Sequence, residues 1–239
     1  MEALETHLVE TPAGPVEVKL CLPAGDHPVA LALMIHGMAF ERDVIWEWGC
    51  VVEELRARKT ASVYPNLHSN DLTKPGFGSP ADALGALEAI AAWALLRLGG
   101  GGAGSVPLLV YGKSWGGARA IELGARLACA EPSGAVPPVS GLCLACPAPP
   151  GERAEKVAAL GAPVLLVWAR DDKTIPFEAH EALLQELRAR PSAACVFAPA
   201  GAGGHRVDRM AALDQGLAAK LAEWPDLALG PLAAGSSLL

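Results

Sequence analysis

The chain has 239 residues, 51% of them hydrophobic and 19% charged, with 19 Lys and Arg against 26 Asp and Glu for a formal charge of -7. That length and apolar content suit one large α/β domain over residues 1–239, with 228–239 expected as a flexible tail. The scattered basic residues exclude nucleic acid as the expected partner, no run approaches the roughly 18 uncharged apolar residues of a spanning helix, and "MEALETHLVE" lacks the features of a signal peptide, so a soluble cytoplasmic protein is expected.

In chain order, "ETHLVETPAGPVEVKLCLPAG" reads as two short strands around the Pro/Gly turn at 12–15, an antiparallel hairpin at one edge of a sheet. Apolar strands follow at 29–35, 61–64, 106–111, 139–145, 163–168 and 193–198, and helical periodicity at 44–58, 80–98, 115–130, 177–190 and 206–223. Strand and helix alternate, and the strands are continuously apolar. The pattern predicts an α/β fold with a mostly parallel central sheet of about eight strands and helices on both faces. "LGGGGAGS" at 98–105 ends a helix rather than linking domains, since the next strand begins at once.

Six cysteines, at 21, 50, 129, 143, 146 and 195, are spread over predicted strands and helices without a disulfide framework. Cys143 and Cys146 form a C-x-x-C inside the apolar run "VSGLCLACPAP", with no second pair at zinc spacing, and read as core. His7, His27 and His180 lie far apart. No metal site is predicted, and no cofactor.

"YGKSWGGARA" at 111–120 places Ser114 between Gly112 and the Gly116–Gly117 pair, after a buried-type strand and before a helix. A serine hydroxyl becomes a nucleophile when a base takes its proton, a carboxylate fixes that base's tautomer, and backbone N–H groups receive the oxyanion. A sharp strand-to-helix turn exposes such a serine, and small residues flank it because the turn packs too closely for larger ones.

With these residues the chain resembles the α/β-hydrolase superfamily. "LMIHGMAF" at 33–40 is similar to the His-Gly segment that closes the family's third strand, which implies the Met38 N–H as one oxyanion donor, with Ala39 the alternative, and the Trp115 N–H as the second. "PGFGSP" at 75–80 resembles the glycine turn after the fourth strand. In "VLLVWARDDKTIP" an aspartate stands four residues before the proline of an Ile-Pro pair, the register of the family's acid, which selects Asp172 over a solvated Asp171. "APAGAGGHRVDRM" is similar to the loop that delivers the family histidine, which implies His205 as base. The order Ser114, Asp172, His205 is that of this fold.

His36 reads as ordering its turn, and His68 as a pocket or solvated loop residue. Lys113 reads as an exposed or snorkelling lysine, or as a cation favouring an anionic substrate group. Phe40, Trp46, Trp48 and Phe77 stand near the expected mouth, as pocket walls or as ordinary core and surface aromatics. Only "PAPPGERAEKVAALGA" separates the sixth and seventh strands, too little for the helical lid of many relatives. The resemblance is therefore to compact, lidless members, dienelactone-hydrolase-type enzymes and small carboxylesterases, and implies a small-molecule ester, thioester or lactone as substrate. The same fold also serves in receptors and scaffolds, and the same residues in lyases and acyltransferases. Nothing in the sequence speaks to oligomeric state.

Overall fold

The structure is a computed structural model that describes residues 4–23, 25, 27–37, 44–67, 80–99, 106–130, 135–148, 160–180, 183, 185, 189 and 195–230. Strands β1 (Leu4–Val9) and β2 (Val16–Cys21) form the predicted hairpin, with Val9 opposite Val16. They are followed by β3 (Ala30–Ile35), β4 (Thr60–Pro65), β5 (Leu108–Lys113), β6 (Val139–Ala145), β7 (Val164–Ala169) and β8 (Cys195–Ala200). All eight join one sheet in the order β1-β2-β4-β3-β5-β6-β7-β8. Only the β1–β2 and β2–β4 pairings are antiparallel.

This order follows from the pattern of burial. Every residue of β3, β4, β5 and β7 is buried, whereas β1 carries exposed and half-buried positions, as a strand at the edge does. Buried strands of this kind need cover on both faces. Helices α1 (Val44–Ala57), α4 (Val207–Leu213) and α5 (Gln215–Leu229) pack on one another, and α2 (Pro80–Arg97) packs on α3 (Trp115–Ala128). Trp48 on α1 meets Tyr111 of β5 edge to face at 5.6 Å, both fully buried. Of the two readings open for Trp48, core aromatic is therefore the one observed.

Three expectations change. The helix predicted over 206–223 is two helices, broken where Asp214 takes an extended conformation (φ -131°, ψ 97°) and its carboxylate caps α5 by accepting from the Leu217 N–H at 3.1 Å. The second helix then continues through Pro225 to Leu229, so Ala228 and Leu229 pack on the core instead of beginning a loose tail. Residues 231–239 lie outside the described residues. The helix predicted over 177–190 opens as a short 3-10 turn, Phe177–His180. Among the described residues no helix is long and apolar enough to cross a membrane.

The parallel strands β3, β5, β6, β7 and β8 all end at one edge. Ligands of open α/β sheets bind beyond the carboxyl ends of such strands.

Candidate active site

Between the last residue of β5 and the first of α3 stands a single residue, Ser114, at φ 51° and ψ -119°. A non-glycine residue reaches positive φ at a cost of order 1–3 kcal/mol and keeps it only where its surroundings enforce it. Here the enforcement comes from β6. Ser114 donates its N–H to the Ala145 carbonyl at 2.9 Å, and its own carbonyl accepts from the Ala148 N–H at 2.7 Å. The flanking glycines allow α3 to begin against backbone. A Cβ on Gly112 would stand 2.5 Å from the Gly116 carbonyl oxygen, and one on Gly116 would stand 2.3 Å from that of His36. The serine is half-buried.

Asp172 lies three residues beyond the end of β7, buried, with Oδ1 accepting from the N–H groups of Thr174 (2.9 Å) and Ile175 (3.0 Å). Its Oδ2 lies 2.7 Å from Nδ1 of His205, on the loop after β8. The aspartate side chain is fully buried while the histidine side chain is 17% exposed, so the pair reaches the surface at the imidazole. An ionised carboxylate only accepts, so Nδ1 is the nitrogen that donates to it.

Asp171 points away from that pair. Exposed, it accepts from the N–H groups of Gly204 (2.8 Å) and Gly203 (3.3 Å), which directly precede His205. The Gly204 N–H holds the Asp171 carboxyl below the ordinary carboxylate range, with Gly203 adding to it and desolvation opposing it. Rather than being merely solvated, Asp171 ties down the histidine loop. Gly203, at φ 128°, lets that loop pass so close to Met210 of α4 that a Cβ would fall 2.6 Å from its side chain. For an enzyme that uses His205 as its base, Asp171→Ala is expected to lower kcat roughly tenfold with KM little changed, because a base displaced by less than an ångström works poorly. A kcat/KM split on any turned-over substrate checks it. The tether follows the charge: it is complete above the ordinary carboxylate range and lost as pH falls through the lowered pKa, so neutral pH leaves it intact.

On the other side of Ser114, His36 donates from Nδ1 to the Gly37 carbonyl (2.6 Å) and accepts the Leu67 N–H at Nε2 (3.0 Å). With both nitrogens so used, the ring is neutral and joins the ends of β3 and β4. It is stacked on Trp115 at 6.3 Å, whose other neighbour is the Arg119 guanidinium at 5.5 Å. The Trp115 peptide opens α3, where N–H groups have no acceptor within the helix. Met38 and Ala39, and with them Phe40, His68 and Phe77, lie outside the described residues, and the Trp46 side chain does too. Lys113 corrects its exposed reading. It is buried, and the position of a Cβ on Gly37 lies 3.4 Å both from its Nζ and from the Ser114 Cβ. The strand that carries it is covered on both faces, so its side chain runs along the sheet edge towards β3.

Near the pair stands a residue that the sequence assigned to the core, as it is. Cys146, first after β6, is fully buried at φ 34°, and a sulfur, a carboxylate oxygen and a ring nitrogen of Cys146, Asp172 and His205 lie within 4.8 Å of one another. Its signal was positional: β6 lies between β5 and β7, so the residue next after its end falls between the serine and the acid.

With this geometry the chain has the α/β-hydrolase fold, in its compact form. It is similar in structure to the esterase domain of a Rhodothermus marinus protein, with 16% identity over 92% of this chain and 99% of that one and a TM-score of 0.68. A Xanthomonas campestris α/β serine hydrolase without lid shares 14% identity over 95% and 94% of the two chains at a TM-score of 0.66. Est1E from Butyrivibrio proteoclasticus shares 14% over 94% and 98% at 0.71. No protein-family model and no curated protein matches the sequence.

Proposed function

We propose that the protein is a serine hydrolase of small or medium esters, thioesters or lactones, acting through an acyl-serine intermediate. The observation that carries this reading is the His205–Asp172 bond of 2.7 Å, delivered from the ends of β7 and β8 to the edge where the strained turn presents Ser114. A structural imidazole of the fold, His36, has both nitrogens occupied by backbone; His205 has one nitrogen on a carboxylate.

In this reading the Ser114 hydroxyl passes its proton to Nε2 of His205 as Oγ attacks the carbonyl carbon. The Met38 and Trp115 N–H groups receive the oxyanion, and Asp172 stabilises the imidazolium. The tetrahedral species collapses, the leaving group takes the proton from His205, and water repeats the sequence on the acyl-enzyme. Phe40, His68 and Phe77 are the candidate substrate-binding residues, and Lys113 favours a substrate with an anionic group. The likeness to a hydrolase without lid supports a site that small substrates enter directly.

A fluorophosphonate probe tests the proposal. It should label the folded protein once, on the peptide carrying Ser114, and intact protein that stays unlabelled would favour a binding role for the fold. With p-nitrophenyl esters and acyl thioesters of graded length, release of free acid and a preference for short to medium chains are expected. A sharp preference for long chains would contradict the uncovered site, and transfer of the acyl group to a second substrate in place of water would make the protein an acyltransferase.

A further inference from the structure

We propose that Cys146, Asp172 and His205 form an inhibitory site for a thiophilic divalent cation, zinc above all, which shuts the protein off by occupying its base. The inference rests on the proposed function only for its effect on turnover, because metal binding itself is read separately.

The ligand set is built from three chain segments that the sheet brings together. Cys146 follows β6, Asp172 follows β7 and His205 follows β8, and one donor atom of each lies within 4.8 Å of the other two. Thiolate, imidazole and carboxylate are the donors that zinc takes, and three of them with a water complete a tetrahedron. Tetrahedral bonds of about 2.0–2.3 Å require donors somewhat over 3 Å apart. The Nδ1–Oδ2 distance of 2.7 Å therefore has to open slightly, and the sulfur already lies within 4.8 Å of both partners.

The backbone supplies a second, independent observation. Cys146 is one of three non-glycine residues at positive φ among the described residues, with Lys59 and Ser114, and its N–H is anchored on the Val167 carbonyl at 2.8 Å. Such a conformation re-aims a side chain where β6 would otherwise continue, and strain of this kind gathers at functional positions. The Cys143 thiol, buried within β6, is not part of the cluster, so the C-x-x-C spacing is incidental to it.

Entry is from the histidine. Its side chain is the accessible member of the three, on a loop that contains Gly203 and Gly204. On binding, the Cys146 thiol gives its proton to solvent and its sulfur bonds the metal. If Nδ1 of His205 is the ligand, the ring proton moves to Nε2, which then has no lone pair for the serine proton; if Nε2 is the ligand, the lone pair is taken directly. Either way the base is lost.

The test begins from a Cys129→Ser protein, which removes the one exposed thiol among the described residues, a thiol that would bind metal on its own. Cadmium chloride is titrated in and the thiolate-to-cadmium charge-transfer absorption followed. One equivalent should bind, zinc should displace it, and Cys146→Ala should abolish the band. His205→Ala, at the exposed member of the pair, should weaken cadmium binding at least tenfold, and covers the case in which the Cys146 variant does not fold. Unchanged cadmium affinity in either folded variant overturns the site. With p-nitrophenyl acetate, zinc should inhibit the parent and leave Cys146→Ala uninhibited, and equal inhibition of both would overturn the mechanism. A protein that binds cadmium through Cys146 yet hydrolyses no ester would refute the proposed function while leaving the metal site standing.

Discussion

Ser114→Ala is expected to lower kcat/KM on the preferred ester by about 10⁴- to 10⁶-fold, the loss seen when a triad loses its nucleophile. At 1.36 kcal/mol for each factor of ten this is about 5–8 kcal/mol of transition-state stabilisation. The size reflects a change of mechanism, because without Oγ no acyl-enzyme forms and only binding and the oxyanion donors act on attacking water. The proposed mechanism implies two further results. His205→Ala should cost about as much, and the double variant no more than either single one, since serine and imidazole act as a unit. Substrate binding should survive, because Ser114 is held by its backbone through Ala145 and Ala148 and the turn remains when the hydroxyl goes. Initial rates of purified parent and variants, with fluorophosphonate labelling as the control for trace parent enzyme, check this. A variant that kept most of its activity would remove Ser114 from the chemistry.

The features legible in the sequence were those that depend on periodicity. Continuously apolar stretches predicted the six strands from β3 to β8, because strands covered on both faces leave no alternation to misread, and the Pro/Gly turn at 12–15 marked the β1–β2 hairpin. The elbow was legible for the same reason, with glycines where the strand pattern stops and the helix pattern starts. Features that depend on contacts between segments remote in the chain were not legible. Motif register selected Asp172 over its neighbour Asp171, but the partners of Asp171 appear only when the β8 loop arrives, with Gly203 and Gly204 on Asp171 and His205 on Asp172. Lys113 read as an exposed or snorkelling lysine, or as a cation for an anionic substrate group; the exposed reading fails because the strand that carries it is buried. The break at Asp214 escaped because "AALDQGLAAK" keeps its helical period while the aspartate changes from helix residue to cap. Cys146 was legible as core but not as a neighbour of Asp172 and His205, because a thiol ending an apolar run looks the same whether or not a carboxylate lies near it.

Gly116→Ala should be the most damaging methyl group that can be added to the elbow. Its Cβ would fall 2.3 Å from the His36 carbonyl oxygen, 2.5 Å from that of Ile35 and 2.8 Å from the Ile35 carbonyl carbon. These are backbone atoms, which cannot rotate out of the way as a side-chain end can. Nor can β3 yield easily, since it is hydrogen-bonded to β4 on one side and β5 on the other. The start of α3 would have to lift instead, and with it Ser114 and the Trp115 N–H. A loss of about 3 kcal/mol or more is expected, at the upper end of what overpacking costs, together with loss of activity in whatever fraction still folds. Gly124, in the same helix, supplies the comparison. A Cβ there meets first the Leu160 Cδ2 at 3.1 Å, the far end of a flexible side chain, and alanine is the better helix former by about 1 kcal/mol. Gly124→Ala should therefore stay within about 1 kcal/mol of the parent, the helix gain offsetting the contact. Urea unfolding of the two variants separates steric approach from helix propensity, because propensity favours both substitutions alike and only the approach of α3 to β3 distinguishes them. Equal midpoints would mean that α3 does not begin against β3, and the turn at Ser114 would lose the packing that holds it at positive φ.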